Sequence, residues 1–120
     1  MDLYKNEGEF IQDNLFASNQ FPVITEGITL LKGQGVLTRG TVLGVETTNG
    51  IAKIVNSEND DGTQTACAIL TDDVEVPEDA DLETTVYVSG CFNSDALIFG
   101  GSDTAATHKH SLRNVGIYLK

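Results

Sequence analysis

Two histidines, two cysteines and a crowd of carboxylates are the residues of this chain with chemistry to offer. His108 and His110 stand two positions apart. On a helix they point roughly 200° apart and cannot share an ion; only on a strand would they meet. One half-buried and one solvated histidine is therefore the expectation. Cys67 and Cys91 each lie in or beside an apolar run, Ala66-Cys67-Ala68-Ile69-Leu70 and Val86-Tyr87-Val88-Ser89-Gly90-Cys91-Phe92. Neither has a CxxC partner, and no nearby histidine activates either thiol. Reducing cytosol argues against a bridge, so both are expected to act as small buried hydrophobes.

The segment Ser57-Glu58-Asn59-Asp60-Asp61-Gly62 has the look of a calcium loop. Aligning Gly62 with the sixth position of such a loop puts Ser57, Asn59 and Asp61 at positions one, three and five. The bidentate glutamate then falls on Ala68, which has no ligand to give, and the EF-hand reading fails. Asp72, Asp73, Glu75, Glu78, Asp79, Asp81 and Glu83 offer many carboxylate pairs, but in a connector expected to be solvated. Without burial nothing drives their pKa values apart into an acid and a base. There is no GxSxG and no phosphate loop, and Gly33-Gln34-Gly35 lacks the third glycine of a dinucleotide loop. No catalytic residue, metal ligand or cofactor site is expected.

The elements that must carry these residues are mostly strands. A chain of 120 residues with 40% apolar content is enough for one core without staples. Ile28–Leu31, Thr41–Glu46, Ile51–Val55, Ala66–Leu70 and Thr84–Ser89 read as short strands. Thr48-Asn49-Gly50 between the second and third is a hairpin turn, because Asn and Gly both accept positive φ. Gly90 is expected to break the strand before it, with a short piece resuming at Phe92. Thr71–Glu83 is expected as an acidic connector marked by Pro77. One helix follows Gly100-Gly101: Ser102, Asp103 and Thr104 are all good N-caps, Ala105, His108, Leu112 and Val115 form a narrow inward stripe, and Gly116 suits the C′ position. Ile117-Tyr118-Leu119 is a last strand.

The N-terminal twenty residues differ. Polar stretches there are interrupted by Phe10, Ile11, Leu15 and Phe16 without strand or helix periodicity, as in an arm carrying a few sticky residues or a poorly ordered terminus. Phe21-Pro22-Val23-Ile24-Thr25 follows. Its proline holds Phe21 extended and lacks the N–H a central strand needs, so the segment suits an edge strand or an arm.

The net charge of −11 and the pI near 4.2 narrow the partners. Nucleic-acid binders displace phosphate counterions with clustered basic residues, and this chain has seven, with none between Lys53 and Lys109. Anionic membranes repel such a surface as well. No run of apolar residues is long enough to span a bilayer, and the opening Met1-Asp2-Leu3-Tyr4-Lys5 is unlike a signal peptide; synthesis in the cytoplasm is expected. Two other function classes remain to be weighed. Lys32-Gly33-Gln34-Gly35-Val36-Leu37 and Arg39-Gly40-Thr41-Val42-Leu43-Gly44 echo the hairpins of a biotinyl or lipoyl carrier domain. Such a domain exposes its modified lysine at a hairpin tip; here the tip has none, and Lys53 falls within a strand. A small enzyme would need Cys67, Cys91, His108 or Asp73 to be indispensable.

Taken in order, Phe21-Pro22-Val23-Ile24-Thr25-Glu26, Leu37-Thr38-Arg39-Gly40-Thr41-Val42-Leu43-Gly44, Ala68-Ile69-Leu70-Thr71-Asp72-Asp73-Val74, Val86-Tyr87-Val88-Ser89-Gly90, Phe92-Asn93, Gly100-Gly101 and Leu112-Arg113-Asn114-Val115-Gly116-Ile117-Tyr118-Leu119 resemble the bacteriophage head decoration protein family. The resemblance runs from about Phe21 to Lys120. It implies a mainly β fold of the β-clip type, a small barrel or sandwich with one or two short helices, assembled as a homotrimer. It implies a viral structural protein on the outer surface of the virion, with the major capsid protein of the phage head and itself as partners, and with no nucleic acid, membrane or cofactor. Such a trimer sits at three-fold positions of the expanded head and resists internal DNA pressure. Residues 1–25 then form a flexible N-terminal capsid-binding arm, in which Phe21, Pro22, Val23, Ile24 and Thr25 would add a strand to the capsid, and 26–120 form the β-rich domain.

Overall fold

A computed structural model describes residues 15–18 and 23–120. Nine strands and one helix follow in chain order: β1 (Phe16–Ser18), β2 (Ile24–Leu30), β3 (Gly35–Leu37), β4 (Val42–Val45), β5 (Ala52–Ile54), β6 (Ala68–Leu70), β7 (Val74–Val76), β8 (Leu82–Phe92), α1 (Ala105–Asn114) and β9 (Ile117–Leu119). A single 3-10 turn, Ser94–Ala96, precedes α1.

Five strands close a small barrel in the order β2-β5-β4-β6-β8, with β8 returning to β2. The expected hairpin joins β4 to β5. Gly50 has φ of 73°, and the Asn49 side chain accepts the Ile51 N–H at 3.1 Å, so the two turn residues supply the conformation and the local bond. β8 is the longest strand, 11 residues, and pairs in turn with β2, β6, β1 and β9. It runs straight through Gly90, which was expected to end it. That residue has φ of 150°, and the Phe92 ring lies 3.0 Å from where a Cβ would project, so glycine lets the strand continue beneath the ring.

Two apolar clusters divide the molecule. One takes Leu30, Ala52, Leu43, Leu70 and Val86 from the five barrel strands and is the barrel interior; Leu37 and Val76, from the antiparallel β3–β7 ribbon, join it. The other lies on the outer wall, where Val42, Ile69 and Phe92 meet Leu15, Leu97, Leu112 and Ile117. β4 and β6 thus bury both faces, Val42 and Ile69 outward, Leu43 and Leu70 inward, in keeping with the period of two along a strand. That explains why their sequences read as continuous apolar runs rather than alternating ones.

α1 seals the outer cluster. Its N-terminus is capped by Thr104, whose N–H donates to Thr107 Oγ1 at 3.1 Å, and Gly116, at φ of 95°, turns the chain out of it. His108 and Leu112 are buried as the stripe requires. Val115 is not: the helix stops at Asn114, and Val115 is 46% exposed. Full burial of Leu112 contributes about 1.5–3 kcal/mol.

Three short strands, β1, β3 and β7, were not foreseen. β7 lies inside the expected connector and pairs with β3, Val36 opposite Glu75. β1 lies inside the expected arm, with Leu15 only 2% exposed.

Candidate functional site

The N-terminal segment docks on the far end of β8 through an aromatic stack. Phe16 pairs with Phe92 in the ladder, and the two rings stack with centroids 5.1 Å apart. Tyr87 meets Phe16 edge-on, also at 5.1 Å. Arg39 closes the stack: its guanidinium carbon is 5.8 Å from the Phe16 centroid and 5.6 Å from that of Tyr87. The same guanidinium donates to the Thr71 carbonyl at 2.8 Å and to the Tyr87 hydroxyl at 2.9 Å, so its donors are held while its face is offered to the rings. Asn93 N–H donates to the Leu15 carbonyl at 2.8 Å. Residues 15–18 are therefore fastened to the body.

Of the residues expected to bind a partner, Phe21 and Pro22 lie outside the described residues. Val23 and Ile24 are 44% and 52% exposed, and Thr25 is exposed too. Ile24 and Thr25 sit in β2, paired to Ser89 and Tyr87 of β8. Among the described residues, the other edge of β2 is paired only at Leu30, to Ala52 of β5. Among the described residues no strand pairs this edge from Ile24 to Thr29, beside the three exposed β-branched side chains of Val23, Ile24 and Thr25. Such an edge is a template for a further strand.

The residues with chemistry are brought together elsewhere, as fasteners. Asp103 accepts the Ser57 N–H at 2.7 Å and the Ser57 hydroxyl at 2.6 Å, and pairs with His108 Nε2 at 2.7 Å. His108 stacks in parallel on Phe99, centroids 5.5 Å apart. The Ser57 hydroxyl, then the His108 ring, hold the Asp103 carboxyl below the usual carboxylate range. Serine, aspartate and histidine converge here, but the carboxylate stands between the other two. The serine triad of hydrolases sets the imidazole against the hydroxyl to take its proton, and in this order the imidazole does not touch Ser57. His110 is exposed and lies 3.1 Å from an Arg113 nitrogen, so the two histidines are separated as the helical spacing requires.

The calcium-like segment is occupied by its own chain. Asp61 is 2.9 Å from Lys53 Nζ and accepts both the N–H and the hydroxyl of Thr63. Lys53 first, and Thr63 after it, hold the Asp61 carboxyl far below its ordinary range. Asn59 donates to Thr63 Oγ1 at 2.9 Å. Among the described residues no three His, Cys, Asp or Glu side chains are placed to share a metal ion. Lys53, the lysine a carrier would modify, lies in β5 within this ion pair. Cys91 is buried and Cys67 half-buried, both are free, and burial pushes the Cys67 thiol up, away from the reactive thiolate. An open groove of about 510 Å³ runs along β2 and β8, lined among the described residues by Gly27, Ile28, Thr29, Glu83, Thr84 and Thr85.

A small closed β-barrel with exposed apolar side chains beside a strand edge offers a surface for binding. The model of the family described as bacteriophage lambda head decoration protein D matches residues 4–117, nearly the whole chain, and this chain belongs to that family. It is a phage capsid decoration protein, of a family with a structural role in the virion. Among curated proteins none matches the chain. The aromatic stack around Arg39 escaped the sequence reading; the one trace of it was Leu15-Phe16, an apolar pair in a polar stretch.

Proposed function

We propose that this protein coats the outside of an expanded phage head as a homotrimer at three-fold positions and stabilises the shell against the pressure of packaged DNA. The carrying observation is the family match over residues 4–117, joined to the exposed side chains of Val23 and Ile24 at the start of β2. In this reading Phe21, Pro22, Val23, Ile24 and Thr25 supply the capsid contact. Main-chain hydrogen bonds give affinity, and alternate side chains give register. Three arms on one trimer act multivalently, so one docked arm raises the effective concentration of the next two. The major capsid protein is the partner, and synthesis takes place in the host cytoplasm.

The test is sedimentation of purified protein with expanded, undecorated heads, followed by heating of the complexes. Saturable binding that raises the temperature of DNA release is the expected result. Heads that ignore the protein would overturn the reading. The arm is best probed by Val23→Asp with Ile24→Asp, since both side chains are exposed: binding should fall at least tenfold while the Tm of the free protein moves little. Truncation before Thr25 is a poorer probe, because it removes Leu15 and Phe16 from the body.

A further inference from the structure

Two pairs of neighbours in this chain are built to close a succinimide ring on the main chain: Asn49-Gly50 and Asp61-Gly62, the one Asn-Gly and the one Asp-Gly of the sequence. The ring forms when the amide nitrogen of the second residue attacks the side-chain carbonyl carbon of the first. Glycine is the neighbour that permits it, because with no Cβ the nitrogen is uncovered and the main chain turns freely. The fold brings the two pairs close, since the Thr47 N–H donates to the Asp61 carbonyl at 2.9 Å, yet it treats them oppositely.

Asp61 is pinned. Its carboxylate meets Lys53 Nζ at 2.9 Å and accepts the N–H and the hydroxyl of Thr63, so it stays ionised, and a carboxylate is a poor electrophile. The Gly62 N–H donates to Gln64 Oε1 at 2.7 Å. A Cβ on Gly62 would stand 2.6 Å from the Val45 carbonyl oxygen, so this glycine is wedged against the end of β4.

Asn49 is placed otherwise. Asn49 and Gly50 are exposed at the tip of the β4–β5 hairpin, and nothing lies within 4 Å of where a Gly50 Cβ would project. Asn49 Oδ1 accepts the Ile51 N–H at 3.1 Å, which folds the side-chain amide back along the main chain toward the Gly50 nitrogen. The same N–H stabilises the negative charge that Oδ1 gains when its carbon is attacked. One restraint opposes the step: the Gly50 N–H donates to the Glu46 carbonyl at 2.9 Å. An exposed turn tip opens locally at little cost, so this bond slows the attack without blocking it.

We infer that Asn49 is a self-modifying site, converted through a succinimide to aspartate and isoaspartate while the protein stays folded, and that Asp61 is spared by its clasp. The Gly50 nitrogen bonds to Asn49 Cγ, the Cγ–Nδ2 bond breaks, and the Gly50 proton leaves with the amide as ammonia. Water then opens the ring. Addition at Cγ breaks the new bond and leaves aspartate. Addition at the Asn49 main-chain carbonyl breaks the old peptide bond and leaves isoaspartate, the chain now running through Cβ and Cγ. Nothing is oxidised or reduced. Either product adds a negative charge at the hairpin tip, and isoaspartate also lengthens the main chain of the turn.

The test is to age the full chain in mildly alkaline buffer well below its Tm, wild type beside Asn49→Gln, with circular dichroism to confirm folding. Intact mass follows the exchange of amide for acid, and peptide maps with labelling by an isoaspartyl methyltransferase locate the products. The wild type should convert first at Asn49. Asn49→Gln should convert at least tenfold more slowly, because its longer side chain must close a larger ring. In urea, where the clasp is lost, isoaspartate should form at Asp61 at least tenfold faster than in the folded chain. A folded wild type that keeps its mass, or that converts first at another asparagine, would overturn the site. Isoaspartate forming at Asp61 as fast in the folded chain as in urea would overturn the protection.

Discussion

The two acidic segments of this chain, 57–61 and 72–83, look alike in sequence and do opposite things in the fold. In the first, Asp61 is clasped by Lys53 and Thr63, and Ser57 is tied to the buried Asp103–His108 pair, so the charges fasten a loop to the barrel wall. In the second, Asp73 and Asp81 accept backbone N–H groups from Arg39 at 2.7 Å and Lys32 at 2.9 Å, while Glu78 and Asp79 project into solvent. The difference is partners, not composition. A carboxylate shapes the fold where a cation or several N–H and O–H donors reach it, and otherwise it shapes the field around the molecule.

The sharpest way to break the first segment is steric. Gly44 of β4 lies under the loop, and a Cβ there would stand 2.7 Å from the Thr63 Cα and carbonyl oxygen, both backbone atoms that cannot swing aside. Gly44→Ala should cost about 1–3 kcal/mol and lower the Tm by roughly 5–15 °C in a calorimetric scan. Next comes the fastener itself. Asp103→Asn keeps the shape but weakens the acceptor for Ser57 and His108, and should lower the Tm by a few degrees, less than Gly44→Ala does.

Acid titration sharpens the same contrast. Asp61 and Asp103 both have carboxyl pKa values depressed in the folded state, so each stabilises the fold fully above its unfolded pKa and loses that contribution as the pH falls through the folded value. The Tm should therefore hold from neutrality down to about pH 4 and fall steeply below it, and Asp61→Asn with Asp103→Asn should flatten that fall. The smallest effect belongs to the second segment. Glu78→Gln with Asp79→Asn should shift the Tm by no more than about 2 °C, since both side chains are exposed. A larger loss there would mean that the connector braces the fold as the loop does.

What could be read in the sequence was what local chemistry decides. The Asn49-Gly50 turn and the Gly116 exit each depend on two to four neighbouring residues and stand where the reading put them, and the helix cap is Thr104, one of the three candidates Ser102, Asp103 and Thr104. β1, β3 and β7 escaped because three-residue strands have no periodicity of their own and exist through partners 73 to 76 residues away for β1 and 37 to 41 for the β3–β7 pair. Gly90 was misread because the ring that passes over it belongs to Phe92 in three dimensions, not to a turn. The mainly β class with its small barrel was legible, as was the family; the inward place given to Val115 was not met, since the helix ends one residue too soon. Of the residues expected to meet the capsid, Val23, Ile24 and Thr25 are exposed, but nothing in their own sequence told of the Arg39 stack that anchors the chain just upstream.

The reach of β8 also bears on how the chain is made. Its partners β1, β2 and β6 are synthesised before it, and the β2 ladder joins Ile24 to Ser89 across more than half the polypeptide. A nascent chain therefore holds an unpaired β2 until β8 has left the ribosome, and the barrel closes late, as one non-local event. Folding dominated by such distant pairing is slow and exposes strand edges meanwhile. A strongly acidic chain repels its own copies during that interval, which keeps those open edges apart.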